Sequence, residues 1–371
     1  MRKILHLING EHYAGAERVQ DLLGQYLPQF GYESTFACLK SGMFETRRHG
    51  RDYEIIDLSM SSRVDLRSVF VLRELLRAGR FDLLHTHASR SGIIGAMALT
   101  SIRLPMVHHV HSPTHECTDN RLRNNLVSMA ENLALKRADR FIAVSRSIEQ
   151  YVLRQRMPSG SIRLVHNGVP ACEQLPDRAA PGDVWALGMV ALFRPRKGVE
   201  VLLRAIRLLL DRQRRVRLLA IGPFETPEYE QRIRALTTEL GLDRAVQWLG
   251  FSDNVNDELQ RTDVFVLPSL HGEGLPMVIL EAMAAGTPVV ASAIEGIPEV
   301  LEDANSGLLI PPGDPRALAD ALASLIDNDG DWLRIRRNAH RRQKEHFSAQ
   351  SMAAGVARVY DELLADADEA A

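Results

Sequence analysis

The residues with the clearest capacity for chemistry lie between Thr262 and Ala293. An apolar run, Asp263-Val-Phe-Val-Leu-Pro-Ser269, leads into a glycine-rich loop, His271-Gly-Glu-Gly-Leu275. A segment of helical period follows, opening on Pro276 and closing at Gly286-Thr-Pro288. Proline in the first helical turn and glycine just past the last one are the places the backbone favours them. Such a loop presents free N–H groups at a helix N-terminus, where a phosphate or a sugar hydroxyl can be held. Glu273 and Glu281 are separated by seven residues. Eight steps along an ideal helix turn the chain by about 800°, roughly 80° net, so Glu281 is expected about two turns below the loop on a neighbouring face.

A second cluster is imidazole: His108, His109, His111 and His115 crowd one strand end and its loop. Strand alternation sends His109 and His111 to one side and His108 to the other. No carboxylate or thiolate stands at a convincing spacing, so a metal centre is not expected there. His85 and His87, at the end of the preceding strand, are expected to pack or to line an acceptor side. Other patterns fail on their own terms. No Walker A sequence is present and no GxGxxG follows a strand. The stretch Asp327-Asn-Asp-Gly-Asp331 has Asn338 where a calcium loop needs its bidentate Glu. Asp366-Ala-Asp368 sits in an acidic tail with no strand before it and reads as solvated.

These groups need a scaffold, and 371 residues supply one. At roughly 150 residues per domain, the length predicts two domains. The chain is 45% hydrophobic and 25% charged, an ordinary globular composition, with 45 Lys+Arg against 47 Asp+Glu and no global excess that would point to nucleic acid. Three scattered cysteines, Cys38, Cys117 and Cys172, suggest neither a disulfide framework nor a zinc ribbon and fit a reducing cytoplasm. Neither a signal peptide nor a membrane span is expected.

Short Val/Ile/Leu-rich runs alternate with helical segments, the pattern of βα units on a parallel sheet. Strands are expected at Lys3–Asn9, Ser34–Leu39, Glu54–Leu58, Asp82–His87, Met106–His111, Arg140–Val144 and Ile162–His166. After an irregular, proline-bearing linker at 170–183, a second series runs Trp185–Leu192, Arg217–Gly222, Val246–Gly250, Val264–Pro268, Pro288–Ser292 and Leu308–Pro311. The expected architecture is α/β: two doubly wound, Rossmann-like domains, 1–169 and 184–347, with a closing amphipathic helix at 348–366. Ligands in such sheets bind beyond the carboxyl ends of the strands, so a cleft between facing domains is the expected site.

The segment Glu273-Gly-Leu-Pro-Met-Val-Ile-Leu-Glu281-Ala-Met-Ala-Ala-Gly-Thr-Pro resembles the E-x7-E signature of the family 4 glycosyltransferases of GT-B fold. Further landmarks fall in that family's order along nearly the whole chain: Tyr13-Ala-Gly-Ala-Glu-Arg18, Phe141-Ile-Ala-Val-Ser145, His166-Asn-Gly-Val169, Val190-Ala-Leu-Phe-Arg-Pro-Arg-Lys-Gly198 and Leu249-Gly-Phe251. The resemblance implies transfer of a sugar from a nucleoside diphosphate sugar to a hydroxyl, with retention and without a metal or further cofactor. It assigns the donor ribose to Glu281 and the transferred sugar to Glu273. The phosphates go to the amides of Gly274 and Leu275, to Gly15 in the first loop and to Lys197, and the nucleoside to Gly250 and Phe251. His111 is placed beside the donor sugar. Lys197, Glu273 and His111 are thus the implied catalytic residues. One position departs from the pattern: Leu192 stands where the family usually has Arg; Arg194 or Arg196 could supply the second cation, and Arg194 is the one expected among the donor-binding residues. A leaving diphosphate needs such compensation.

On the acceptor side, Arg63, Arg67, Arg73, Arg77 and Arg80 project within an arc of about 140° that also holds Leu66 and Phe70. A basic face studded with apolar residues suggests docking on anionic lipid, reaching a lipid-linked acceptor from the cytoplasmic face of a membrane. The nucleotide base, the sugar and the acceptor stay open. A non-catalytic nucleotide-sugar-binding module and a nucleotide-sugar 2-epimerase of the same fold are the competing readings.

Overall fold

A computed structural model describes residues 1–60, 65–112, 134–301 and 305–369, with side chains to 366. The chain divides into two compact units, Met1–Gly168 with Ala349–Ala371, and Val169–Ser348.

In the first unit, seven parallel strands form one sheet: β1 (Arg2–Ile8), β2 (Tyr32–Cys38), β3 (Glu54–Asp57), β4 (Leu83–His87), β5 (Met106–Val110), β6 (Arg140–Ala143) and β7 (Ile162–Leu164). Their spatial order is β3-β2-β1-β4-β5-β6-β7. The chain winds outward from β1 to β3 and then returns to the other side of β1. The topological switch therefore lies between β1 and β4, where an open α/β sheet binds its ligands. Strand alternation sorts the two faces. Leu5, Leu7, Leu84 and Met106 pack with Leu72 and Leu76 of the helix Arg67–Arg77 and with Ile94 of the helix Ala88–Ala98. The opposite face carries His6, Phe36 and His85, with His6 paired to His85 and His87 paired to His109 in register.

The closing helix Ala349–Glu369 covers that second face. Met352, Ala353, Val356, Tyr360, Leu363 and Leu364 are buried, a stripe at helical spacing. Its polar contacts fix the register: Tyr360 OH lies 2.5 Å from His85 Nδ1, and Asp361 accepts from Tyr32 OH. Arg163 donates to Glu362 at 2.8 Å and Arg140 to Asp366 at 2.6 Å.

The second unit repeats the winding with six parallel strands: β8 (Trp185–Val190), β9 (Val216–Ile221), β10 (Val246–Gly250), β11 (Val264–Leu267), β12 (Val289–Ser292) and β13 (Leu308–Ile310), in the order β10-β9-β8-β11-β12-β13. Its switch lies between β8 and β11. Trp332 anchors the core, its ring edge-on to Trp185 and its Nε1 donating to the Asp263 carbonyl at 2.8 Å. Segment 170–183 has no helix and only an isolated bridge at its threshold, as its prolines predict, but it is fastened down. Arg178 donates to the carbonyls of Gln260 and Thr262 and pairs with Asp263, and His340 Nε2 meets the Cys172 carbonyl at 3.1 Å.

Every expected strand is present; most end one or two residues early, and β1, β2 and β9 begin one or two residues before the expected start. β5 stops at Val110, so His111 lies one residue past it, and β8 stops at Val190, leaving Leu192 41% exposed in the loop. Pro276 is the N-cap rather than a first-turn residue: its ψ of 118° is extended, and the helix begins at Met277.

Candidate active site

The two loops that leave β8 and β11 at the switch point of the second unit carry the groups singled out in the sequence. After β8 the chain makes a single short turn, Pro195–Lys197, and enters the helix Val199–Asp211 through Gly198. Only glycine fits there. Its φ is +69°, and a Cβ would stand 2.0 Å from the Pro268 carbonyl oxygen at the end of β11. This contact draws the two loops together, and the Leu270 amide completes it by donating to the Arg196 carbonyl at 2.8 Å.

Lys197 Nζ consequently meets Glu273 Oε1 in a close ion pair. Lys197 is 13% and Glu273 7% exposed at the side chain, so the pair is largely shut off from water. Burial pushes the Lys197 ammonium below its ordinary value, while the adjacent Glu273 carboxylate acts in the opposite direction. A buried pair of this kind needs further hydrogen bonds to hold it. Ser269 Oγ supplies one, donating to the same Glu273 oxygen at 2.6 Å. Arg196 lies 3.9 Å from that oxygen and donates to the carbonyls of Gly272 (2.6 Å) and His271 (3.2 Å), clamping the glycine-rich loop. From the other side Glu295, at a strained φ of 46°, accepts the Gly272 amide at 2.8 Å.

Gly274 and Leu275 are buried and lead directly into the helix Met277–Ala284, which carries Glu281 half-buried in its second turn. Of the two arginines considered for the second cation, Arg196 is brought to Glu273. Arg194 turns away and pairs with Glu225 at 3.2 Å on the surface. Gly250 has a φ of +68° and accepts the Gly222 amide at 2.6 Å, and Phe251 beyond it is 55% exposed. Ser269 and Glu295 carried no signal in the sequence. A serine four residues before Glu273 could have been noticed, but Glu295 comes from the loop after β12 and only the fold brings it in.

In the first unit, Gly15 is exposed at the first position of the helix Gly15–Tyr26. His111 is half-buried and belongs to a larger group than its own strand suggested. Its Nε2 lies 3.2 Å from His87 Nδ1, and its ring stacks on His109 at 4.3 Å. His87 Nε2 is in turn 3.1 Å from His6 Nδ1, and His6 Nε2 is 3.2 Å from Ser34 Oγ. Five imidazoles from β1, β4, β5 and the residue after it thus share one sheet face. Burial lowers the pKa of each, to about 3 for His6 and about 4 for His111. His108 points to the other face, bonded to Thr86 Oγ1 at 2.8 Å, and His115 lies outside the described residues. His6 was missed because a lone histidine in β1 has no neighbour in sequence.

The basic face divides. Arg67, Arg77 and Arg80 are exposed, as are Leu66, Phe70 and Val71, while Arg63 lies outside the described residues. Arg73 is committed to structure, donating to the carbonyls of Ala98 (3.2 Å) and Met97 (2.9 Å), and Arg77 pairs with Glu74. Among the described residues no helix is long and apolar enough to cross a membrane.

Comparison with known proteins follows the same division of the chain. Residues 13–171 match the model of Glycosyltransferase Family 4, and residues 173–343 that of Glycosyl transferases group 1. A D-inositol 3-phosphate glycosyltransferase of Saccharomonospora viridis is 31% identical over 315 residues, 77% of this chain and 71% of that protein. A phosphatidyl-myo-inositol mannosyltransferase of Mycobacterium leprae is 31% identical over 70% of this chain and 67% of its own length. Among solved structures, Anabaena HepE in complex with UDP superposes with a TM-score of 0.83 at 20% identity, covering 98% of this chain and 100% of that one. The sucrose-phosphate synthase of Thermosynechococcus elongatus gives 0.84 at 23%, over 99% and 100%. Those two likenesses speak to the fold, two Rossmann-like units of GT-B type. With family matches in series along both units and 31% identity over most of these relatives' length, the chain belongs to the group 1, family 4 glycosyltransferases.

Proposed function

We propose that this glycosyltransferase moves a sugar from a nucleoside diphosphate sugar, a uridine diphosphate sugar in the first instance, to a hydroxyl acceptor with retention of configuration. The observation that carries the reading is the buried Lys197–Glu273 pair at the β8/β11 switch, beside the helix that bears Glu281. Structures of similar fold hold UDP and UDP-glucose, which supports the choice of donor.

Chemically, a departing diphosphate develops negative charge that preorganised cations and amides can stabilise. Lys197 is held ready by Glu273 and exchanges that partner for the diphosphate, while Arg196 keeps the loop amides of Gly274 and Leu275 aimed at it. Glu273, released from the lysine, is free to accept from sugar hydroxyls, and Glu281 from the ribose. His111 is assigned to the donor sugar by family resemblance. Front-face attack lets the donor phosphate take the acceptor's proton, so no paired carboxylates of the glycosidase kind are required.

We read the pathway as polysaccharide or glycolipid synthesis at the cytoplasmic face of a membrane. Exposed Leu66, Phe70 and Val71 beside Arg67 and Arg80 support lipid contact. So does the name of the phosphatidyl-myo-inositol mannosyltransferase relative. Co-sedimentation with liposomes should require anionic lipid and fade with salt; binding indifferent to both would contradict this part.

The test of the core reading is donor turnover. Incubated with UDP, GDP and ADP sugars, the purified chain should slowly release free sugar and nucleoside diphosphate from one of them. Binding without any turnover would favour the non-catalytic module instead.

A further inference from the structure

The histidine face of the first unit takes no defined part in the transfer reaction apart from His111, and its geometry asks for another explanation. His6, His85 and His87 are each 0% exposed, and one ring nitrogen of each lies within 4.8 Å of the other two. The opposite nitrogen of every ring is held from outside. Ser34 Oγ is 3.2 Å from His6 Nε2, Tyr360 OH is 2.5 Å from His85 Nδ1, and His111 Nε2 is 3.2 Å from His87 Nδ1. His6 Nδ1 and His87 Nε2 lie 3.1 Å apart, and among the described residues His85 Nε2 is buried with no hydrogen-bond partner.

A buried polar atom without a partner is costly and calls for a water or an ion. Two nitrogens each about 2.0–2.1 Å from one tetrahedral ion stand roughly 3.3 Å apart, close to the 3.1 Å between His6 and His87, and the third imidazole offers a nitrogen within 4.8 Å of both. An outer ring of hydrogen-bond partners, one on the far nitrogen of each histidine, is how proteins orient imidazole ligands and fix their tautomers.

We propose that His6, His85 and His87 form a three-histidine site for a single transition-metal ion of the imidazole-preferring class, with Ser34, Tyr360 and His111 as its outer shell. Burial keeps the rings neutral, the form that ligates. The three ligands are neutral imidazoles, so the ligand set brings no negative charge. All-nitrogen ligation suits Zn2+, Co2+, Ni2+ or Cu2+ rather than Mg2+ or Ca2+. A water or hydroxide in the fourth position would complete the tetrahedron and offset part of the charge. His111 is half-buried and touches His87.

Metal uptake tests this independently of any transfer activity. The full chain, stripped with chelator and titrated with Zn2+ against a chromophoric chelator, should bind one equivalent, and Co2+ should give the intense visible absorption of a tetrahedral site. His6→Gln and His85→Gln should each weaken uptake at least tenfold, and Tyr360→Phe by roughly 10-fold or more. His108→Gln, on the opposite sheet face, should bind as wild type. Should the buried variants fail to fold, X-ray absorption on Co2+-loaded wild type and His109→Gln decides: three imidazoles in both support the site, and fewer in either overturns it. No uptake by the wild type also overturns it. Loss on His109→Gln with retention on His6→Gln would do the same, placing the ion in the neighbouring His87–His109–His111 group.

Discussion

Lys197 and Glu273 depend on each other, because removing one leaves the other charge buried and unpaired. Lys197→Ala should therefore abolish turnover and also lower stability, whereas Glu281→Ala, at a half-buried position, should abolish turnover with a near-native melting temperature. Full activity of either variant with purified donor and acceptor would contradict the assignment. The two arginines separate more sharply. Arg194 makes an exposed pair with Glu225, worth about 0–1 kcal/mol, so Arg194→Ala should leave kcat/KM within a few-fold of wild type. Arg196 holds two loop carbonyls and approaches Glu273, so Arg196→Ala should lower kcat/KM by at least tenfold; equal effects from the two would remove Arg196 from the site. The types and spacing of Glu273, Glu281 and Lys197 were legible in the sequence, because E-x7-E and Lys-Gly are local patterns. The expectation of Arg194 did not foresee that Arg196 is the arginine that approaches Glu273. The outcome turns on which side chain points toward β11, and no periodicity encodes that.

At the scale of elements, the site is made by two loops pressed together at Gly198. Gly198→Ala introduces a Cβ 2.0 Å from a carbonyl oxygen at a backbone conformation L residues avoid. We expect a loss of roughly 1–3 kcal/mol in denaturant unfolding and reduced donor affinity, since the turn that aims Lys197 must shift. Alanine there with wild-type affinity would show that the loop contact does not position the lysine. All thirteen strands could be read from alternating apolar runs and helical segments. Their spatial order followed only as a class, because the winding that puts β1 beside β4 and β8 beside β11 is a property of the sheet. The histidine face shows the limit best. His85, His87, His109 and His111 were visible as neighbours in sequence, but His6 comes from β1 and Tyr360 from the closing helix, and only the sheet register and the return of that helix unite them.

Considered whole, the molecule is two similar windings used differently: the second unit carries the candidate donor groups, and the first carries buried imidazoles and the exposed apolar-basic face. Those imidazoles predict an acid sensitivity. The folded-state value of about 3 for His108, on the face away from the proposed metal site, lies below the unfolded value of about 6.5. Below about pH 6.5 the unfolded chain takes up protons that the folded chain refuses, so stability present at neutral pH is lost as the pH falls. The melting temperature should drop between about pH 7 and pH 5, less steeply in His108→Gln; a flat profile would contradict the burial of a neutral ring. The central claim concerns the second unit, and calorimetric titration of UDP into wild type and Lys197→Ala tests it most directly. The account predicts saturable binding by the wild type and at least a tenfold weaker Kd for a folded Lys197→Ala. Equal affinities would place the diphosphate elsewhere and contradict it.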